Sequence, residues 1–392
     1  MNIVFFSLGD SRSSLYGDLS KYFVSQGHSV TMIVPSSKSD TLFDEGVQVR
    51  YIKSLPFSGT GLLGKGLANL LLPYLCDRFI RKEFKSTVVD LILCSTPPVA
   101  FYRPIASLKK KNREAKSYLI LRDIWPEAFN LFDYELRHPF IYKFFRIQEK
   151  KLYESSDVIG CMSPGNIAFV AKSNPEVKDK LALLPNWGKV SEQNPSDISI
   201  KEKYGLEGKF VVIYGGNMSV PQGLENILHF AELIKSYDDV ICLLIGKGTQ
   251  KDWIRNEVEQ KGVQNIKIMD FLPKQDYEAI LKVCDVGLIS LTDKLKTPSI
   301  PSKTISYWDL KIPIFAITDH ITDYGESIID ESKSGTWAYA GDDEKILSSF
   351  EKLYANPPLR KTMGENGHKY LVENCSLKNT YDKIMIQLYG KQ

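Results

Sequence analysis

The feature that most constrains this chain is a repeated alternation of short apolar runs with stretches of helical periodicity. Apolar runs of about four to eight residues are typical of strands buried on both faces of a parallel sheet, and the helices between them cover those faces. The pattern therefore predicts an α/β protein built as two doubly wound domains in tandem. The front half carries the runs NIVFF, SVTMIVP, VQVRYI, DLILCS, YLILRD, DVIGCM and LALLPN, and the back half FVVIYGG, VICLLIG, IKIMDFL, DVGLISL, IPIFAI and TWAYA.

A polar stretch separates the two series of runs. At 392 residues the chain is longer than one hydrophobic core usually serves, and residues 189–209 are predicted to link two domains. The N-terminal domain then spans 1–188 and the C-terminal domain 210–370, and 371–392 contains a last amphipathic helix with no strand after it. In open parallel sheets ligands bind at the carboxyl ends of the strands, so the cleft between the domains is the expected site.

Cysteine usage and the first residues predict a cytoplasmic protein. The six cysteines show no CxxC or other metal-ligand spacing, and most lie in apolar runs, as small buried side chains do. Disulfides are therefore not expected. The start, MNIVFFSLGD, has no basic region before its apolar stretch and is predicted to be a strand, not a signal peptide. No run reaches the roughly 18 apolar residues needed to span a bilayer.

Three motifs in the back half have the composition of phosphate-binding turns. Residues 214–227, YGGNMSVPQGLENI, join a strand to a helix through a glycine pair, and residues 243–253, LLIGKGTQKDW, do the same with Gly246 before Lys251. In the third, IPSKTISYWDL (300–310), Ser302 is a good helix N-cap. Lys303 opposes the helix dipole there unless an anion is bound, although a solvent-exposed lysine explains this motif equally well.

These motifs, in this order, resemble the GT-B glycosyltransferases of family 4. The front half extends the resemblance through STPP (95–98), LRDIWPEAF (121–129), QEKKLYESSDVIGCMSPG (148–165) and LLPNWG (183–188), so that it covers nearly the whole chain. The match is closest to bacterial amino-sugar and deoxysugar transferases of O-antigen, capsule or exopolysaccharide assembly. The resemblance implies two Rossmann-like domains facing a central cleft, with the last helix crossing back to the N-terminal domain.

The resemblance also implies a site and a chemistry. Family 4 enzymes are retaining and metal-independent, so neither a cofactor nor a metal is expected, and the nucleotide sugar is a substrate. Cations and backbone amides would stabilise the departing diphosphate. Asn217 and Gln222 stand where many members carry an arginine and a lysine, and Pro298 and Ser306 stand at the positions of the family's paired glutamates. The implied donor-binding residues are Gly215, Gly216, Asn217, Gln222, Gly246, Lys251, Ser302, Lys303, the amides of Thr304 and Ile305, and Ser306.

The candidate residues of the front domain follow its strands. Asp123 ends the run YLILRD, where a carboxylate can orient an acceptor hydroxyl or take its proton, and Glu127 is the second candidate for this catalytic role. By local chemistry alone Asp123 is equally well a helix N-cap. Ser11 and Arg12 lie in the polar loop after the first strand, where they could contact the acceptor, and Arg12 could equally be solvated.

A membrane surface is the expected neighbour of the front domain. Residues 1–187 carry 25 Lys+Arg against 18 Asp+Glu, whereas the remainder carries 25 against 29. Residues 55–85 combine apolar faces with Arg78, Arg81, Lys82 and Lys85, a pattern that favours peripheral contact with the inner face of the plasma membrane. A helix that packs on the core with a solvated face is the alternative. Nucleic acid is not an expected partner, because the charge balance is mild and no binding motif is present.

Together these features predict a retaining glycosyltransferase. It would move an N-acetylated amino or deoxy sugar from a nucleotide donor, by family habit UDP-linked, to a polyprenyl diphosphate-linked saccharide in bacterial surface polysaccharide synthesis. Two alternatives remain at this stage: a UDP-sugar 2-epimerase of the same fold, and a non-catalytic partner in a glycan-assembly complex, which the missing glutamates favour.

Overall fold

The computed structural model describes residues 1–13, 15–55, 62–129, 138–192 and 199–390, without the side chains of 62–66. Residues 56–61 of the predicted membrane segment and 193–198 of the predicted linker lie outside this description. The chain divides into two compact units, Met1–Gly188 with Leu377–Gln392, and Lys189–Ser376.

The first unit is built on an eight-stranded sheet in its described residues. The strand order is β3-β4-β2-β1-β5-β6-β7-β8, and every pairing is parallel except the antiparallel pair β3–β4. All seven apolar runs predicted as strands are present. The sequence pattern missed β3, because this edge strand carries few apolar residues and buries none of them fully. The strands are β1 (Asn2–Phe6), β2 (Ser29–Ser36), β3 (Asp40–Asp44), β4 (Val47–Lys53), β5 (Leu91–Ser95), β6 (Lys116–Leu121), β7 (Val158–Cys161) and β8 (Leu181–Leu183).

Helices cover both faces of this sheet, as the continuous apolar runs require. In β1, Val4 and Phe6 belong to one buried cluster, and Ile3 and Phe5 belong to another. Successive side chains of a strand point to opposite faces, so both faces are buried. The helices are α1 (Tyr16–Ser25), α2 (Leu62–Glu83), α3 (Tyr102–Lys111), α4 (Pro139–Ser155) and α5 (Pro164–Ser173), with 3₁₀ turns at Val99–Phe101, Glu127–Phe129 and Pro175–Lys180.

The second unit contains a six-stranded sheet in which every pairing is parallel. Its order, β11-β10-β9-β12-β13-β14, reverses direction at β9. All six predicted runs form strands. The strands are β9 (Phe210–Asn217), β10 (Val240–Lys247), β11 (Ile266–Met269), β12 (Val286–Ser290), β13 (Ile314–Thr318) and β14 (Gly335–Tyr339).

The helices of the second unit alternate with its strands. A 3₁₀ turn at Val220–Gln222 precedes the second of them, and π-helical turns occupy Gly325–Asp330 and Leu371–Cys375. The helices are α6 (Ser199–Lys203), α7 (Leu224–Leu233), α8 (Lys251–Lys261), α9 (Lys274–Leu281), α10 (Lys303–Asp309), α11 (Asp343–Tyr354) and α12 (Pro357–Tyr370).

The last helix, α13 (Leu377–Tyr389), belongs to the first unit, although it follows the second unit in sequence. Ile384 is fully buried in the cluster that contains Phe5. The Tyr381 hydroxyl lies 2.9 Å from His28 Nε2, and the Tyr118 hydroxyl donates to Gln387 Oε1 at 2.6 Å. Among the described helices none has both the length and the hydropathy to cross a bilayer.

Candidate functional site

The second unit has its topological switch point at β9. Because β10 and β12 lie on opposite sides of β9, the connections that follow β9 and β12 diverge and leave a crevice at the carboxyl edge of the sheet. Two glycines shape this edge with left-handed backbone: Gly216, exposed at the end of β9 with φ 120°, and Gly223, which precedes α7 with φ 52°. The same edge receives the start of α10.

Lys303 projects from the first residue of α10 to the end of β9. Its Nζ donates to Gln222 Oε1 at 2.9 Å and lies 3.6 Å from the centroid of the Tyr214 ring. Burial holds the pKa of this ammonium well below its usual value. Within the described residues no carboxylate pairs with it, so its partners are an amide oxygen and an aromatic face. A partly buried cation that lacks a counter-anion is suited to an anionic ligand.

Tyr214 and Gln222 hold this lysine, and neither role follows from a motif. The Tyr214 hydroxyl donates to the Asn217 carbonyl at 2.5 Å, which fixes the ring beneath Lys303. Asn217 itself is exposed and donates to Ser219 Oγ at 2.9 Å. The sequence analysis did not predict Tyr214 as a site residue, because it lies inside an apolar run. Gln222 was predicted to contact the donor, and in the structure its oxygen orients Lys303.

Packing, and not phosphate contact, explains two of the predicted glycines. Gly215 is buried, and a β-carbon there would overlap the Tyr277 hydroxyl. A β-carbon at Gly246, also buried, would overlap the Gly216 carbonyl oxygen on the neighbouring strand. Of the three glycines predicted to contact the donor, Gly216 alone is exposed at the crevice.

Lys251, which was predicted to reach the donor phosphates, is engaged by protein groups in this structure. Its Nζ donates to the Gly246 and Met269 carbonyls, each at 3.2 Å, and pairs with Asp270. These contacts tie the end of β10 to the end of β11. The positive charge of Lys251 is evident from the sequence. The groups that pair with it come from two strands and a loop, so they follow only from the fold.

The start of α10 also differs from the prediction. Ser302 occupies the N-cap position, but its side chain accepts no capping hydrogen bond. The amides of Thr304 and Ile305, predicted to hold the diphosphate, donate instead to the carbonyls of Pro301 at 3.4 Å and Ser302 at 3.1 Å. A tight first turn therefore uses the donors that a regular cap would leave available.

The side chains of α10 divide between the interior and solvent. The Thr304 hydroxyl is buried, donates to the Pro301 carbonyl at 2.8 Å and lies 2.6 Å from the Tyr324 hydroxyl. Ser306 is exposed, so the hydroxyl that stands in place of a glutamate faces solvent, whereas Pro298 is buried. Of the residues predicted on this helix, Lys303 is the one that the structure aims at the end of β9.

In the first unit, Asp123 lies two residues beyond the end of β6. Burial raises the pKa of its carboxyl group, and the charge of the adjacent Arg122 opposes the shift. The Asp123 carbonyl accepts from the Trp125 amide at 3.0 Å. No backbone amide of the described chain donates to the Asp123 carboxylate, so it does not serve as a helix N-cap.

Glu127, the second catalytic candidate, belongs to a buried ionic network. Its Oε1 accepts from the Tyr142 hydroxyl at 2.9 Å and lies 3.2 Å from Arg146 Nη1. Arg146 also pairs with Glu149, which is fully buried. Burial raises the pKa of Glu149 to about 8, with a further contribution from the Glu127 charge. These contacts anchor the turn that carries Glu127 to α4.

The loop after β1 buries Ser11 and leaves Arg12 at the surface. Ser11 is 1% exposed. The Arg12 side chain is 69% exposed but pairs with Asp10 at 2.5 Å, and its Nη2 donates to the Tyr51 hydroxyl at 3.2 Å. These contacts lower the pKa of Asp10 to about 2. An acceptor phosphate would have to displace a carboxylate from Arg12.

Comparison with known proteins identifies the domain that carries this site. Residues 196–370 match the family described as glycosyl transferases group 1. The chain is 23% identical over 330 residues to a Pseudomonas aeruginosa protein named glycosyltransferase WbjE, covering 81% of this chain and 79% of that protein. It is 27% identical over 133 residues, about a third of each chain, to the Escherichia coli colanic acid biosynthesis glycosyl transferase WcaI.

Solved structures show the same architecture over the whole chain. Sucrose-phosphate synthase from Thermosynechococcus elongatus gives a TM-score of 0.74 at 12% identity, with 98% of this chain and 97% of that chain covered. Anabaena HepE, in complex with UDP and glucose, gives 0.69 at 15% identity, with 98% of each covered. These likenesses and the two parallel sheets confirm the predicted GT-B fold. Within this fold, residues 196–370 are the part of the chain that is similar to the glycosyl transferases group 1 family.

Proposed function

We propose that this chain is a retaining, metal-independent glycosyltransferase of bacterial surface polysaccharide synthesis. The donor is a nucleotide sugar, UDP-linked, whose sugar is an N-acetylated amino or deoxy sugar, and the acceptor is a lipid-linked saccharide. The observation that carries the proposal is Lys303, a cation to which the described residues bring no counter-anion, at the switch point of the second unit. The comparisons support the setting, since WcaI is named for colanic acid biosynthesis. A further solved structure of similar fold, WaaG, is described as involved in lipopolysaccharide biosynthesis and gives a TM-score of 0.69 at 13% identity.

In the proposed reaction the bond from the sugar's anomeric carbon to the nucleotide diphosphate breaks, and a bond to the acceptor oxygen forms. Lys303 stabilises the negative charge that develops on the leaving diphosphate, and the left-handed backbone at Gly216 lets the chain approach it closely. The acceptor hydroxyl loses its proton, and Asp123 orients this hydroxyl or takes the proton. The raised pKa of Asp123 suits a group that exchanges protons.

The proposal is tested by thermal unfolding of the full chain with UDP, GDP, ADP, dTDP and CMP. One diphosphate, UDP, is expected to raise the unfolding midpoint selectively, because a ligand at 100 times its Kd stabilises the native state by about 2.7 kcal/mol. If none of the five nucleotides stabilises the protein, the proposed donor site is contradicted. That result would favour a non-catalytic partner in a glycan-assembly complex. Conversion of a UDP-sugar to free UDP and an epimerised sugar without any acceptor would select the epimerase.

A membrane contact belongs to the same proposal and is supported by the exposed face of α2. Leu67, Leu70, Leu71 and Tyr74 are each between 40% and 55% exposed, and they follow one another at helical spacing. The basic residues Arg78, Arg81, Lys82 and Lys85 continue the same exposed stripe toward the end of α2. We call these eight residues the α2 stripe. An apolar segment followed by a basic one fits the interior and the anionic headgroups of a bilayer surface.

A cleft beside the stripe adds to this charge. It lies between α2 and α3, has a volume of about 340 Å³, and combines apolar with basic lining. Lys111 is partly committed, because its Nζ donates to the Phe84 carbonyl. The cleft is lined by Ile80, Arg81, Phe84, Lys85, Ser107, Leu108, Lys110 and Lys111. Such a cleft suits the phosphate of a lipid headgroup.

Replacing Leu70 and Leu71 together with serine is expected to weaken binding to phosphatidylglycerol-containing vesicles by about tenfold or more, because each leucine buried in the bilayer contributes on the order of 1.5 kcal/mol. Vesicle flotation at low and high salt measures this. Phe271→Ser, which removes a 64% exposed aromatic from the second unit, is the matched control and should bind as wild type does. Equal vesicle binding by wild type, the double serine variant and Phe271→Ser would exclude the α2 stripe as the membrane-binding surface.

A further inference from the structure

Arg122, in the first unit, is a second cation that makes no ion pair with the residues that the structure describes. It follows β6 directly, its backbone amide donates to Thr96 Oγ1 at 3.0 Å, and its guanidinium lies 5.4 Å from the Trp187 ring centroid. Its Nη1 is buried without a hydrogen-bond partner among the described residues. Burial lowers the pKa of this guanidinium, the direction expected where the charged form is poorly solvated.

Comparison with Arg146 shows how unusual this environment is. Arg146, also in the first unit, pairs with Glu149 and Glu127 and donates to Asn174 Oδ1 at 3.1 Å. Buried charges are normally paired in this way, because an uncompensated one costs several kcal/mol. Arg122 makes no ion pair within the described chain, and the carboxylate whose charge acts on it is that of its neighbour Asp123.

The groups around Arg122 are polar and lie at the carboxyl edge of the sheet. Ser95, at the end of the adjacent strand β5, is 1% exposed, and its hydroxyl has no partner at hydrogen-bond distance among the described residues. Burial raises the pKa of Tyr16, and the charge of Arg122 opposes this shift. The side chains of Arg122 and Tyr16 both contact the Trp187 ring. The Tyr16 and Trp187 rings pack edge to face at 6.4 Å.

We propose that Arg122, with Ser95 and Tyr16, binds an anionic group of the acceptor, either a phosphate or a sugar carboxylate. The inference rests on the proposed transferase function and specifies the class of acceptor. A guanidinium offers a planar pair of N–H donors to the two oxygens of such a group, and the hydroxyls of Ser95 and Tyr16 supply further donors. Asp123, adjacent in sequence, then lies near the part of the acceptor that carries the anion.

The competing role for Arg122 is structural, through its contact with the Trp187 ring. The two roles predict opposite effects on the unliganded protein. A structural arginine would lower the unfolding midpoint when removed, whereas removal of an uncompensated charge leaves the midpoint unchanged or raises it. Arg122→Gln is therefore expected to unfold, without ligand, at or above the wild-type temperature.

Anion binding is measured by calorimetry on the full chain with UDP at saturation, so that a diphosphate site in the second unit is filled. The probes are inorganic phosphate, inorganic pyrophosphate and galacturonate. Wild type is expected to bind at least one probe, and Arg122→Gln to bind it at least tenfold more weakly. Arg113→Gln removes an exposed arginine of the same unit and should bind as wild type does. A phosphate or pyrophosphate signal indicates a phosphorylated acceptor, and a galacturonate signal an acidic sugar.

Two results would overturn the inference: binding of no probe by wild type, or equal binding by Arg122→Gln. If Arg122→Gln does not fold, Arg122 is structural, and Ser95→Ala then tests whether the remaining hydroxyls bind an anion at all. Failure of UDP to bind is a separate outcome that contradicts the proposed donor. In that case the anion titrations are repeated on Lys303→Met. This variant lacks the Lys303 ammonium, so an anion that still binds does not bind there.

Discussion

Replacing Lys303 with methionine is expected to weaken UDP binding by about 10- to 100-fold. Hydrogen bonds to charged groups contribute roughly 1.5–3 kcal/mol, and each 1.4 kcal/mol changes affinity tenfold. Methionine keeps the unbranched stem that crosses the Tyr214 ring and removes the charge. Because that charge is poorly solvated in the free protein, the unliganded variant should be at least as stable as wild type. Calorimetry and thermal unfolding measure the two quantities.

Lys251→Met is the matched control for this change. Lys251 joins the ends of β10 and β11 through the Gly246 and Met269 carbonyls, so its removal should lower the unfolding midpoint. Affinity for UDP should stay within about threefold of wild type, since the lysine makes no contact at the end of β9. Equal losses of affinity in the two variants would show that general positive charge, and not the position of Lys303, holds the ligand.

Lys303 is also expected to make the affinity for UDP depend on pH. Burial lowers the pKa of free Lys303 well below 10.5, and a bound diphosphate favours the ammonium form. Between the lowered pKa and the ordinary one, the free protein carries the neutral amine and the complex carries the ammonium. Binding therefore takes up a proton in this window, and affinity falls as the pH rises through it. Calorimetry in two buffers of different ionisation enthalpy should detect the uptake in wild type and not in Lys303→Met.

Replacing Asp123 with asparagine is expected to lower the rate of sugar transfer by about 10²- to 10⁴-fold, the range in which a positioned acid or base contributes. Asparagine has the same shape but cannot take a proton. UDP affinity should be unchanged, because Asp123 and Lys303 belong to different units. Release of UDP from the donor, measured with an extract of lipid-linked saccharides as acceptor, gives the rate.

Glu127→Gln is the corresponding control, since Glu127 was the other carboxylate predicted near the reacting centre. Its ion pair with Arg146 and hydrogen bond from Tyr142 are lost or weakened, so stability should fall. The transfer rate of the folded protein should fall less than in Asp123→Asn. A larger loss of rate in Glu127→Gln than in Asp123→Asn would reverse the assignment of these two residues.

Local sequence was sufficient to predict nearly all strands of the two sheets. Thirteen apolar runs were predicted as strands and all are present, because a strand buried on both faces needs a continuous apolar run. Strand β3 was missed for the converse reason, since DTLFD lies at a sheet edge and needs no such run. The glycine-containing turns after β9 and β10 were also found, although Gly215 and Gly246 proved to serve packing against Tyr277 and Gly216.

The candidate sites were predicted less well. Lys303, Lys251, Asp123 and Glu127 were all recognised as charged groups near the ends of strands or turns. Sequence could not rank them, because the contacts that engage Lys251 and Glu127 come mostly from residues 15 or more positions away. Arg122 was not predicted as a site residue, although its neighbour Asp123 was. The local sequence does not show whether a cation will be paired with a carboxylate in the folded protein.

Strand positions and the α/β class thus follow from local sequence, because burial on both faces of a sheet leaves a direct trace in the order of apolar residues. Which charges are available to a ligand is settled by tertiary structure. The fold brings a carboxylate to Lys251 and to Arg12, and a cation to Glu127. In the described chain it brings no carboxylate to the ammonium of Lys303 or to the guanidinium of Arg122. A charge that folding leaves uncompensated costs free energy until an anion binds, which is the physical basis for assigning both residues to ligands.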